Sequence, residues 1–532
     1  MIGAGASAAA FDAICMMNPY SDASKLREQE DAARSVRFPC DRLPEDGRLA
    51  RLLGVYGMSQ TGLAMQRVKV HAGRLSVHQW LGLAELARRY TPGYPLHVTT
   101  RQDVELHGVR VEDVPAVQHA LSELGLTTLG ACGDTLRNVT ACPESGLEPG
   151  TWEVIGVADA VRAAAESQPW IRTLPRKFKI SVSGCARMCA RPWLNDLGLM
   201  AREDDSFCAV VAGSLGPRPG TGIMAFERVS LDEVVPLALA ALRLHYEESD
   251  RQNRGRARLR HVRERLGDVA FKARLDEMFA RARQHADWPG AEAVETHQGG
   301  TEPERIDGGI KWPVPRMERV GIGAGKECLR CTRLHLPLGD VEADVAWALG
   351  RALEAAGATL RLGFEHDLMI FSAMPVDVPT EMRSLMNGSA VVACPGSEWC
   401  TRGVSDSRTL SIGVRRVLQG SPLALVVGIS GCPNNCAQAA VADIGLIGRV
   451  RTISGSRVEA YRLFAGGDRG MGPALAEELA PAIPASKVMD AVGWLVERYV
   501  GWSGSGWPSF SQFVRENQAA LSEGLKRFES LS

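Results

Sequence analysis

The chain repeats itself. FKISVSGCARMCARPWLNDLGLMA in the first half mirrors LVVGISGCPNNCAQAAVADIGLIG in the second, and NVTACPESG mirrors AVVACPGSEWC. TRQDVELHGVRVEDVP likewise mirrors FEHDLMIFSAMPVDVP, with Asp103 set against Asp367. Equivalent segments lie roughly 250 residues apart, a separation of one or two domains. Two copies of one module, related by a pseudo-two-fold axis, are the simplest architecture for such a chain.

Local patterning gives each copy mixed α and β character. From Ser76, a residue suited to an N-cap, Val77, Trp80, Leu81, Ala84 and Ala87 recur at helical spacing. Residues 96–107 alternate, with Leu96, Val98, Val104 and Leu106 on one side and His97, Thr99, Arg101, Asp103, Glu105 and His107 on the other. The second half repeats the order, predicting a helix near Val341–Leu353 and a strand near Leu360–Phe371. Residues 250–310, rich in charge around RQNRGRARLRHVRERLG, are expected to form a solvated helix and linker rather than a nucleic-acid surface.

At 532 residues and 45% hydrophobic content, the chain can build several domains with sizeable cores. Its net charge of -1 gives no global reason to bind nucleic acid. No apolar run approaches membrane-spanning length, and MIGAGASAAAF lacks the basic segment of a secretory signal. Thirteen unevenly paired cysteines suit reduced thiols or ligands, which points to the cytoplasm. Neither GAGASA, with only Met1 and Ile2 before it, nor GIGAG at Gly321–Gly325 makes a convincing dinucleotide loop.

Late in the chain, Cys394 and Cys400 form a C-x5-C pair and Cys432 and Cys436 a C-x3-C pair, each with proline after its first cysteine. Soft thiolates match iron and offset cluster charge. Ferredoxin runs use shorter, evenly repeated gaps, and zinc pairs favour C-x2–4-C, so a four-thiolate iron–sulfur site is the expectation and zinc the alternative.

That pattern, with GCPNNCAQ running into VADIGLIG, resembles the sulfite and nitrite reductases that couple a [4Fe-4S] cluster to sirohaem, the assimilatory-type sulfite reductase haemoprotein above all. The likeness runs from about residue 50 to near the end, close to the length prior for several domains. It implies an α+β fold of internally duplicated ferredoxin-like half-domains plus two sirohaem/Fe-S α/β domains. The expected divisions are an unassigned arm at 1–48, half-domains at 49–125 and 310–385, a first sirohaem/4Fe-4S-type domain at 126–300 with the substrate-site cations, and a second at 386–532 with the cluster and haem ligands. The resemblance makes Cys436 the thiolate shared by cluster and haem iron, with Cys394, Cys400 and Cys432 the other cluster ligands and Asn434 beside the haem. TTRQDVELHG resembles the strand that holds sirohaem carboxylates, implicating Thr99, Thr100, Arg101 and Gln102, although His97 and Glu105 depart from the residues often found there. Tyr56 and Cys132 correspond to residues near the haem in some sulfite-reducing relatives.

Small oxyanions need fixed cations to hold them and to relay protons as oxygen leaves. The segments AMQRVKVHAG, DTLRNVTAC and LPRKFKIS each resemble one carrying a substrate-site cation, which nominates Arg67, Arg137, Lys177 and Lys179. Relatives that reduce nitrite with ferredoxin often read RKWN where this chain has Arg176-Lys177-Phe178-Lys179. An extra cation should favour divalent sulfite, so reduction of sulfite to sulfide is expected, with nitrite to ammonia the alternative. A monooxygenase like precorrin-3B synthase is expected to lack the LPRKFK cations, and a non-enzymatic Fe-S redox sensor would not need them. With no room for a flavoprotein domain, electrons must come from ferredoxin or a separate flavoprotein reductase. Cys142, Cys185 and Cys189 occupy the first-half positions of three cluster ligands, with Glu148 where Cys400 has its counterpart. They are open to two readings, a second Fe-S cluster or a relic of duplication. Cys328 and Cys331 form an isolated C-x2-C.

Overall fold

The alternation at residues 96–107 is a hairpin, not one strand. Leu96–Val98 and Val104–Arg110 pair antiparallel around a turn at 99–103. Thr99 Oγ1 shapes the turn by accepting the N–H groups of Arg101 (3.2 Å) and Asp103 (3.0 Å). The second half builds the same hairpin from Thr359–Leu362 and Asp367–Ser372. These features belong to a computed structural model that describes residues 23–284, 304–306, 309–311, 314–320, 329–386, 389–419, 423–453, 456–470, 474–503 and 509–530. The GAGASA and GIGAG motifs, Cys328 and most of the linker at 285–303 lie outside the described residues.

Ser76 caps the helix Val77–Tyr90 as expected. Its Oγ accepts the Gln79 N–H while Gln79 Oε1 accepts the Ser76 N–H, both at 3.1 Å. The equivalent helix Ala343–Ala355 packs against it, and Trp80 Nε1 donates to Ala346 O at 2.7 Å. Gly350 permits this approach, since a Cβ there would lie 2.6 Å from Leu81 Cδ2. Each half also lends the other a strand. Arg74–Leu75 joins the second-half hairpin through Leu360 and Arg361, and Asp340–Val341 joins the first through His97 and Leu96. The two halves therefore share one core that includes Val68, Trp80, Leu106, Leu334, Leu349 and Ile370.

Two five-stranded sheets of identical topology flank that core. In the first, Thr140–Ala141, Ile180–Ser183 and Leu197–Ala201 run parallel, and Phe207–Val211 and Ile223–Val229 follow antiparallel. In the second, the parallel set is Ala390–Ala393, Val426–Ser430 and Ile444–Ile453, followed by Ser456–Ala465 and Glu477–Pro484. The short parallel strands are apolar runs covered on both faces. Residues 250–284 are not merely solvated. The helix Asp268–Gln284 buries Phe271, Leu275, Met278, Phe279 and Ala282, a helical stripe that the surrounding charge conceals in the sequence. No helix among the described residues is long and apolar enough to cross a membrane.

Candidate cofactor and substrate site

Open α/β sheets place ligands at the carboxyl ends of their parallel strands, and the second-half cysteines lie there. Cys394 follows Ala390–Ala393, Cys400 closes the turn Gly396–Trp399, and Cys432 and Cys436 follow Val426–Ser430. Glycines let the two loops interlock: a Cβ on Gly431 would meet Ser405 O at 2.7 Å, and one on Gly403 would meet the Gly396 backbone at 2.4 Å. This contact aims the Gly431 N–H at Cys394 Sγ, 3.1 Å away. Backbone N–H groups of Arg402 and Gly403 point at Cys400, and that of Asn434 at Cys432. Burial pushes all three thiols up, Cys432 to about 12, and charge on Cys436 adds to the push on each. Four soft donors, three of them with N–H groups already turned toward sulfur, fit a [4Fe-4S] cluster. Among the described residues no three of these sulfurs close to within 4.8 Å of one another, the spread that separate corners of a cube require.

The first half faces this centre with cations. Lys177 feels the charge of Cys436. Burial, then the neighbouring Arg137 and Arg176, push Lys177 down to about 7. Lys179 is driven well down by burial, Arg101 and Lys177. Buried Asp103 offsets part of the charge of Arg101 and Arg137, and two other nearby carboxylates are already committed. Asp196 accepts the Lys179 backbone N–H (2.8 Å) and Arg258 Nη2 (2.7 Å), and Asp134 is shared by Arg176 and Arg254. Arg101 bonds only neutral groups, Asn195 Oδ1 at 2.7 Å and Asn138 O at 3.2 Å, and burial lowers it to about 10. The buried Nε atoms of Arg101 and Arg137 have no protein partner. Such an excess of unmatched positive charge fits a ligand with many carboxylates, and sirohaem is one.

The nominated cations thus converge. Arg137 acts on Lys177, Lys179 and Cys132, and Arg67 acts on Cys132 as well. Arg67 differs from the others in being neutralised: its Nη2 lies 2.5 Å from Glu105 Oε1. Although burial opposes ionisation, Arg67 and then His107 hold the Glu105 carboxyl well below its usual range. The departures at His97 and Glu105 therefore both find partners: Glu105 ion-pairs with Arg67, and His97 Nδ1 hydrogen-bonds Asp340 Oδ1 (2.8 Å), the latter supplied by the other half.

The turn at 99–103 is pinned to the cysteine loop. Thr100 Oγ1 donates to Cys436 O at 3.2 Å, and Gln438 Nε2 donates to Thr100 O at 3.3 Å. Gln102 is a brace: Nε2 donates to Ala141 O (2.9 Å) and Leu362 O (2.8 Å) while Oε1 accepts the Ala141 N–H (3.0 Å). With its amide spent on backbone, Gln102 holds the turn rather than offering a hydrogen bond to a ligand. Asn434 is exposed, whereas its neighbour Asn435 is buried at φ 57° with an unpartnered Nδ2. Arg258 is a site cation missed by sequence reading, because it sits within the charge-rich stretch taken as solvated. A cavity of about 410 Å³ opens beside Cys189, at the equivalent end of the first sheet. Its cations are paired, since Glu365 accepts Arg469 (2.7 Å), Arg191 (3.1 Å) and Arg333 (3.1 Å).

The model of the nitrite and sulphite reductase 4Fe-4S domain matches residues 132–282 and 386–504, half of the chain, and that of the nitrite/sulfite reductase ferredoxin-like half domain matches 56–124. The chain belongs to the sirohaem and [4Fe-4S] nitrite and sulfite reductase family. It is an oxidoreductase of that family. It is 27% identical to the assimilatory ferredoxin-dependent nitrite reductase of Haloferax mediterranei over 96% of this chain and 92% of that one. The ferredoxin–nitrite reductase of Synechococcus elongatus is 26% identical over 84% of this chain and 88% of its own length. The NirA protein of Mycobacterium tuberculosis has the same fold, with a TM-score of 0.74, 21% identity, and coverage of 94% of this chain and 98% of that one.

Proposed function

We propose that this chain reduces nitrite to ammonia by six electrons drawn from ferredoxin, and reduces sulfite as a second substrate. The observation that carries an anion-reducing site is the unmatched set of Arg101, Arg137, Lys177 and Lys179 beside Cys436. Nitrite is preferred over the sulfite expected from sequence because the full-length relatives are named ferredoxin-dependent nitrite reductases. The electrostatic case for sulfite also weakens, since Lys179 is driven toward its neutral form by burial and adjacent cations. A lysine in that state is a poor fixed charge and gives up its proton readily.

When bound, the cluster and sirohaem supply single electrons and an open iron face. The chain's own groups do the rest. Cys394, Cys400, Cys432 and Cys436 hold the cluster. Thr99, Arg101 and Arg137 would receive cofactor carboxylates, with Gln102 bracing their turn and Thr100 tying it to the Cys436 backbone. Lys177 and Lys179 bind the substrate oxygens and pass protons as water leaves. Arg67, kept charged by Glu105 against the cost of burial, forms with it a neutralised pair in the pocket wall. The thiol-rich composition suits a cytoplasmic setting.

Turnover with reduced ferredoxin, with ammonia and sulfide measured as products, tests the reading. A kcat/KM for nitrite above that for sulfite is expected. The reverse order would restore sulfite as the main substrate, and no turnover of either would end the proposal.

A further inference from the structure

We propose that Cys142, Cys185 and Cys189 hold a single thiophilic divalent ion, zinc by its ligand chemistry, through their three thiolates. Cys189 Sγ lies 3.1 Å from Cys142 Sγ and 3.3 Å from Cys185 Sγ, and all three sulfurs fall within 4.8 Å of one another. Zn–S bonds of about 2.3 Å in a tetrahedron put thiolates about 3.8 Å apart. A cube carries each thiolate on a different iron, which separates sulfurs by roughly 6 Å. The trio matches the first geometry. A disulfide is a poor account, because the contacts exceed an S–S bond of about 2.05 Å and three sulfurs share one point.

The same strand ends that present the cluster cysteines in the second half present these. Cys142 follows Thr140–Ala141, and Cys185 and Cys189 follow Ile180–Ser183. Among the described residues this is the set of three whose ligand atoms meet so closely. The internal repeat nominated Glu148 as the fourth group, but Glu148 bonds the Cys331 thiol. Glu144, two residues from Cys142 and buried, feels the charge of Cys185 but lies outside the group of sulfurs that meet within 4.8 Å, so the three cysteines make the site. Arg187 bonds the Glu144 carboxylate and feels Cys185 and Cys189, so it offsets the negative charge that three thiolates and a carboxylate leave around a divalent ion. One module, copied, would thus carry a redox cluster in one half and a single thiolate-bound ion in the other.

Metal counting on the cofactor-loaded, full-length enzyme, with zinc-edge X-ray absorption, tests this. The expected result is one zinc per chain with three sulfurs at about 2.3 Å. Cys189→Ser should lose the zinc and keep the iron, whereas Cys432→Ser should lose iron and keep the zinc. Zinc absent from enzyme made with ample zinc, or unchanged in the Cys189→Ser variant, overturns the proposal. So does a loss of four irons in that variant, which would signal a second cube. If Cys189→Ser does not fold, the absorption spectrum of the unaltered enzyme still decides, because a shell without sulfur excludes the site.

Discussion

The two halves of this molecule handle buried charge in opposite ways. At the four-cysteine end, Lys177, Lys179, Arg101 and Arg137 crowd together with Asp196 and Asp134 already taken. At the equivalent end of the first sheet, Glu365 draws Arg191, Arg333 and Arg469 into one network. One pocket is left positive for a ligand, and the other satisfies itself. The difference shows how a duplicated fold keeps one active site: neutralising a spare pocket removes its affinity for anions without disturbing the backbone that both copies share.

The sharpest way to break this comparison is to treat matching cysteines alike. Cys436→Ser should abolish the visible spectrum and lower nitrite turnover with reduced methyl viologen by at least about 10³-fold, since electrons no longer reach the substrate. Cys189→Ser should leave turnover within about threefold, as expected for a residue outside the electron path. Equal losses would mean both ends serve catalysis. Next in size, Glu365→Gln should cost about 3 kcal/mol in denaturant unfolding, because it leaves buried Arg191 without a carboxylate, while Arg333 keeps Asp367 and Arg469 keeps Asp443. A neutral result would show that the spare pocket is not held by its ion pairs.

Lys179→Met should lower kcat/KM for nitrite about 10²-fold, the usual loss on removing one donor to developing charge. Arg469→Met in the spare pocket should change kcat/KM by less than about twofold, since it acts on stability alone. The smallest effect is in pH: both pockets make stability rise with pH, each in its own window. Lys177 gives up its proton near 7 when folded but near 10.5 when unfolded, so the unfolded chain binds more protons between those values. Stability of protein prepared without sirohaem should therefore rise with pH across that window, and Lys177→Met should flatten the rise. Arg469, Arg333 and Arg191, against the opposing effect of burial, hold Glu365 at about 2 instead of 4.5. Stability should fall as pH drops through that lower window, and Glu365→Gln should remove that part of the fall. Unfolding curves that respond alike to both substitutions would erase the distinction.

Much of the site was legible locally. The cysteine gaps, the Ser76 cap and the LPRKFK cations all act over a few residues, where spacing maps directly onto geometry. What escaped was set by contacts across hundreds of residues. Gln102 looks like its neighbours in TTRQDVELHG, yet a positive φ turns its amide onto Ala141 and Leu362. Arg258 looks like any arginine in a charged run until Asp196 draws it into the site. Glu105 breaks the family pattern in sequence and is explained by Arg67 on the adjacent strand.

The sequence alone determined that there are two copies of one module, and it nominated four cysteines in the second as cluster ligands and cations in the first to attend them. Those properties follow from residue identity and spacing, which survive any arrangement of the copies. Only the tertiary structure decided that the halves exchange strands and share a core, which cations stand unmatched, and that Glu144 rather than Glu148 attends the second thiol group. Charge balance in a buried site depends on which distant groups fold against it, and no local pattern encodes that.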